Sequence, residues 1–144
     1  MKSKLRSLFI MLLAMFLFSG THCQAAEFVL IVNTNNPIDS LSRRSTELIF
    51  LGKKTRWLSG FPVHVAVNNE KDTYDAFCRE ILNKTPGQYL IYRKKMLFTG
   101  SGIPPQVMES DDEMINFVSG SRLAIGFIKT ESLDSRVKKL TIFE

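Results

Sequence analysis

Few side chains in this sequence can do chemistry alone, and their spacing limits how many can act together. The chain has two histidines and two cysteines. His22 and Cys23 fall in a leader-like segment, which leaves His64 and Cys78 as the only imidazole and thiol beyond it. His64 lies within the apolar run Val63–Val67, where a lone imidazole is expected to pack rather than act as a base. Cys78 falls on the apolar stripe of a helix, where a thiol behaves as a small buried hydrophobe. One cysteine and one histidine cannot build a structural zinc site, and nothing in the spacing points the two at each other as nucleophile and base. Asp111, Asp112 and Glu113 are consecutive, so they do not share a helix face; capping accounts for them better than metal binding. The expectation is a non-enzyme with no cofactor and no metal.

The chemistry that remains is anion binding. A strand that ends in a polar turn and opens a helix presents unpaired N–H groups and the positive end of the helix dipole. Val67 gives way in this manner to Asn68-Asn69-Glu70-Lys71-Asp72-Thr73 and a helix. Similar polar junctions occur near Asn33, Asn35 and Ser40, and near Thr99-Gly100-Ser101-Gly102. The candidate contacts are Asn33, Asn35, Ser40, Lys71, Thr73, Ser101 and Gly102, acting through amides, hydroxyls and backbone N–H groups, and the expectation is that these junctions line one cleft.

The elements that must position them are well punctuated. Phe28–Val32 reads as a strand buried on both faces, ended by Asn33-Thr34-Asn35-Asn36-Pro37. Ser42 is expected to cap a short helix through Leu51, with Gly52 as its left-handed stop. Val63–Val67 is a second strand. Asp72 is expected to cap a helix whose apolar residues Tyr74, Phe77, Cys78, Ile81 and Leu82 share one face. Thr85-Pro86-Gly87-Gln88 and Ser110-Asp111-Asp112-Glu113 read as capping boxes of two further helices, running to Gly100 and Gly120. Leu123–Ile128 returns to strand, and Val137–Phe143 is a last strand, with Lys138 and Lys139 suggesting an edge. This order is α/β.

Charge adds a constraint once its distribution is considered. The 144 residues carry a formal net charge of +5, which invites a nucleic-acid reading. Yet Lys2, Lys4 and Arg6 precede an apolar run from Leu8 to Phe18, which is too short to span a bilayer, and a small-residue exit comes after it at Ala25-Ala26. That pattern is a secretory signal over residues 1–25, with a lipid anchor on Cys23 as the rival reading. The domain from Ala26 to Glu144 then has 16 basic and 14 acidic residues and a single cysteine. No aromatic interleaving marks Lys53-Lys54 or Arg93-Lys94-Lys95 as a base-stacking platform. The expectation is one exported, periplasmic domain with no disulfide, no membrane span after signal removal and no nucleic-acid partner.

Several stretches, taken in order, resemble the phosphate-binding proteins of bacterial ABC importers. They are Ile31-Val32-Asn33, Asn36-Pro37, Ile49-Phe50-Leu51-Gly52-Lys53 with Trp57, Asp75-Ala76-Phe77, and Ala124-Ile125-Gly126-Phe127. The resemblance implies an α/β type 2 periplasmic-binding-protein-like domain, with a short central sheet flanked by helices, in a reduced form of about one lobe. It implies phosphate or a similar oxyanion as ligand and a membrane transporter or a sensor protein as partner. The family holds phosphate with a serine-glycine-threonine turn and an upstream arginine. Here the matching stretch is Glu70-Lys71-Asp72-Thr73, with Val67 or Asn68 near the arginine's place, so only Thr73 corresponds. Glu70 and Asp72 would repel a dianion at close range. The alternative expectation is therefore a periplasmic interaction or signalling protein that has lost the ligand site.

Overall fold

A computed structural model describes residues 27–144; the signal segment read from residues 1–25 lies outside them. The described residues form a six-stranded mixed sheet with helices on both faces. The strands are β1 (Phe28–Asn33), β2 (Ser40–Ser42), β3 (His64–Asn68), β4 (Gln106–Met108), β5 (Ala124–Lys129) and β6 (Val137–Phe143). The helices are α1 (Arg43–Phe50), α2 (Lys71–Leu82), α3 (Pro86–Thr99) and α4 (Asp111–Gly120). The sheet order is β2-β6-β1-β5-β3-β4. β1 runs antiparallel to both β5 and β6, whereas β2 pairs with β6, and β3 with β4 and β5, in parallel.

The two-residue period of β1 and β5 divides their side chains between two cores. Leu30, Val32, Ile125 and Phe127 join Phe50, Phe77, Ile81 and Tyr89 beneath α1, α2 and α3. Val29, Ile31, Ala124 and Ile128 meet Met114, Ile115 and Val118 of α4 on the other face. The first core centres on aromatic rings. Phe77 stacks on Phe127 with centroids 3.9 Å apart and meets Phe50 edge-on at 4.6 Å. On the second face Gly126 is needed for space: a Cβ there would run into the Met114 side chain, so glycine lets α4 seat closely on β5.

Several sequence expectations hold. β1 is central and buried, α2 buries all five residues of its predicted stripe, and Thr85 with Gln88 forms a reciprocal capping box. Gly52 and Gly100 adopt the positive φ values expected of helix stops. Other expectations need correction. β6 is not an edge, because the three-residue strand β2 pairs beyond it. Lys138 is instead drawn inward, its Nζ donating to the Asn36 carbonyl at 2.7 Å and to Asp39 at 2.6 Å. The true edges, β2 and β4, are only three residues long, which limits the unpaired backbone offered to other chains. His64 is exposed at the start of β3, with Nδ1 3.2 Å from the Ser121 hydroxyl, rather than packed. The Ser110 box is displaced by one residue: Ser110 accepts from the Glu113 N–H, but the Glu113 carboxylate accepts from Glu109.

Cys78 is fully buried in the first core, and burial pushes its thiol up to about 11. Thiolate, not thiol, is the reactive species, so the folded protein should be inert to disulfide reagents. In the chain from Ala26 onward, the expected result is no thiol released by a chromogenic disulfide at pH 8, and one per chain after unfolding.

Candidate functional site

The site is built where β3 ends. Asn68 is buried at the last position of that strand and closes the turn into α2. Its Oδ1 accepts from the Glu70 N–H at 3.0 Å, a local turn that aims the chain upward before the helix begins. Its Nδ2 donates to Asp111 at 2.5 Å, tying the start of α2 to the start of α4. Asp111 also accepts from the Ser132 hydroxyl at 2.5 Å, and the Glu70 carboxylate pairs with the Lys129 ammonium. Asn69 donates to Glu109 at 3.0 Å. The carboxy-terminal ends of β3, β4 and β5 therefore meet the amino-terminal ends of two helices in one polar network.

Within it, α2 is unlike the other helices. Ser42, Thr85 and Ser110 cap α1, α3 and α4 with side-chain oxygens. The residue before α2 is Glu70, which makes no side-chain cap, and Asp72 is not the cap expected from the sequence but a first-turn residue. The Asn68 turn starts the helix at Lys71, so the Asp72 carboxylate sits inside the first turn rather than before it. Thr73, in the same first turn, is fully buried, and its Oγ1 has no hydrogen-bond partner. An uncapped terminus and an orphaned hydroxyl in the same turn are the two features here that would accept an anion.

The charges beside them pull the other way. A cavity of about 350 Å³ adjoins this turn, lined by Asn69, Lys71, Asp72, Tyr74, Asp75 and Pro86. Lys71 is its one cation against two carboxylates, and Lys129 is already committed to Glu70. The Tyr74 hydroxyl is buried without a partner, and burial pushes its pKa up to about 12, so it is a neutral donor. Among the described residues, no group of three acidic, histidine or cysteine side chains is placed to hold a metal ion.

The residues singled out in the sequence do not gather in one cleft. Lys71 and Thr73 stand together at the carboxy-terminal end of β3. Asn33 ends β1, which runs the opposite way, so the register sets Asn33 beside Val137 at the other end of the sheet. There its Nδ2 donates to the carbonyls of Val118 at 3.0 Å and Ser119 at 2.8 Å, and its Oδ1 accepts from the Asn35 N–H at 2.9 Å. Asn35 is exposed, and its carbonyl accepts from Arg122. Ser40 opens β2 and is exposed. Ser101 is exposed and accepts from Thr99, while Gly102 packs on Met96 of α3. Asp111, Lys129 and Ser132, which complete the network around Asn68 and Glu70, carry no sequence signal beyond Asp111's place in the capping box that Ser110 opens; they arrive from separate elements.

This architecture matches solved structures. The fold is a partial periplasmic-binding-protein fold. A Clostridium perfringens protein solved with bound phosphate superposes with a TM-score of 0.62 at 22% identity, over 80% of this chain and 44% of that one. An ABC-type phosphate transport receptor from Vibrio cholerae gives 0.55 at 20% identity, over 80% and 45%. PstS from Borrelia burgdorferi gives 0.62 at 16% identity, over 80% and 46%. The chain thus spans less than half the length of the structures it matches. No protein-family profile matches the chain, and no curated protein matches it in sequence.

Proposed function

We propose that this chain is an exported, periplasmic solute-binding-like protein that holds a small oxyanion, phosphate or one similar to it, at the amino terminus of α2. It would serve an ABC importer or a sensor rather than perform a reaction. The observation that carries this reading is the uncapped first turn of α2 with the buried, unpartnered Thr73 hydroxyl inside it. The fold shared with phosphate receptors supports it. The described residues bring one uncapped helix turn to this site, and an affinity in roughly the millimolar range is expected from so few contacts.

A second reading is favoured by the carboxylates. Glu70 neutralises Lys129, and Asp72 and Asp75 line the adjoining cavity. A protein that had exchanged ligand binding for docking would tolerate such groups, and its partner would be an envelope protein. Calorimetric titration separates the two. The chain from Ala26 onward should give saturable heat with inorganic phosphate or sulfate. Thr73→Val, which keeps the shape and removes the hydroxyl, should weaken binding by about tenfold without lowering the melting temperature. Absence of heat with a folded protein would overturn oxyanion binding and leave the docking reading.

A further inference from the structure

Helix α3 is apolar on two sides, and only one of them is used. Its inner side is fixed: Tyr89 and Met96 are buried, and the Tyr89 and Tyr92 hydroxyls donate to the carbonyls of Phe50 and Leu51, each at 2.6 Å. Its outer side carries Leu90, Ile91, Leu97 and Phe98, at spacings of seven and eight residues that fall on one face. All four are exposed, Phe98 to 85%. So many large, contiguous apolar side chains in water indicate a surface that is covered in use.

The charges on that face say by what. Lys94 and Lys95 are exposed on the helix among the apolar residues. No acidic residue occurs in the sequence between Glu80 and Glu109. A second copy of this chain laid on the same face is a poor occupant, because that face carries two lysines and no carboxylate to meet them. A protein groove is also disfavoured, since lysine is depleted from the cores of protein interfaces. At a lipid headgroup layer the same arrangement is favourable: lysine stems lie along apolar surface while the ammonium groups reach the phosphates, and the apolar tips enter the acyl boundary. We propose that the outer face of α3 docks on an anionic phospholipid surface. Helix α3 has 14 residues and lies on the bilayer; no described helix is long and apolar enough to cross one. This role uses none of the residues placed at the oxyanion site.

The test is co-sedimentation with vesicles. The chain from Ala26 onward holds every strand and both cores, and its use keeps the apolar run at residues 8–18 from inserting by itself. It should partition onto phosphatidylcholine vesicles containing about one quarter phosphatidylglycerol, and not onto pure phosphatidylcholine. Phe98→Asp and the pair Lys94→Gln with Lys95→Gln should each reduce partitioning roughly tenfold. These side chains are exposed, so the variants should keep the circular dichroism spectrum of the parent. Equal binding to both vesicle types, or no effect of Phe98→Asp, would overturn the proposal. So would a dimer, seen by sedimentation velocity without vesicles, that Phe98→Asp disperses, because the face would then belong to a second copy.

Discussion

Phe77→Ala should lower the stability of the folded chain by about 3–5 kcal/mol, the cost of removing a ring and leaving a cavity in a close-packed core. Phe77 is fully buried and lies in contact with three other rings: it stacks on Phe127 at 3.9 Å and meets Phe50 and Phe28 edge-on at 4.6 and 5.6 Å. These rings come from α1, α2, β1 and β5, so the vacancy would loosen the sheet from two helices at once. For a domain of this size the loss corresponds to a melting temperature lower by roughly 12–25 °C. Against a total stability of about 5–15 kcal/mol, a visible unfolded fraction at 37 °C is the expected outcome. Thermal denaturation followed by circular dichroism measures it. A shift of under about 5 °C would mean that the aromatic cluster does not hold the first core together.

The second large effect concerns a residue that the sequence marks as a ligand contact. Asn33→Ala should destabilise the protein by about 2–3 kcal/mol, because it strands the Ser119 carbonyl, takes from the Val118 carbonyl the donor it has besides Ser121 and removes the turn bond to Asn35. The Asn33 amide is the tie between the end of β1 and the end of α4, at the end of the sheet opposite Thr73. Its substitution should therefore leave any oxyanion affinity of the folded protein unchanged while lowering the urea midpoint. A loss of affinity at unchanged stability would reverse that assignment and return Asn33 to the ligand site.

Asn33 and Thr73 together mark the limit of what is legible in the sequence. Both are polar residues close to the carboxy-terminal end of a strand, and the sequence treats them alike. What separates them is strand direction. β1 is antiparallel to its two neighbours, so its end and the end of β3 lie at opposite ends of the sheet. Direction is set by pairings between residues far apart in the chain, such as Asn33 with Val137, which no local window contains. The same holds for β6. Its lysines look like edge markers until Ser40–Ser42, too short to carry an apolar pattern of its own, pairs outside it. The network around Asn68 and Glu70 is likewise completed by Asp111, Lys129 and Ser132, which meet only after the sheet has formed.

The sequence by itself determined the local elements and their buried faces. The apolar stripe of α2, the capping box at Thr85 and the glycine stops at Gly52 and Gly100 arise from short-range sterics and hydrogen bonding, and each is found where those forces put it. The ordered stretches around Ile49–Lys53 and Ala124–Phe127 carried the resemblance that the partial fold bears out. The tertiary structure alone decided which polar ends of strands lie together, that α2 goes uncapped, and that α3 keeps an apolar face in water. Those outcomes depend on strand direction and on which surfaces the rest of the chain covers, and both are properties of the assembled core rather than of any segment of it.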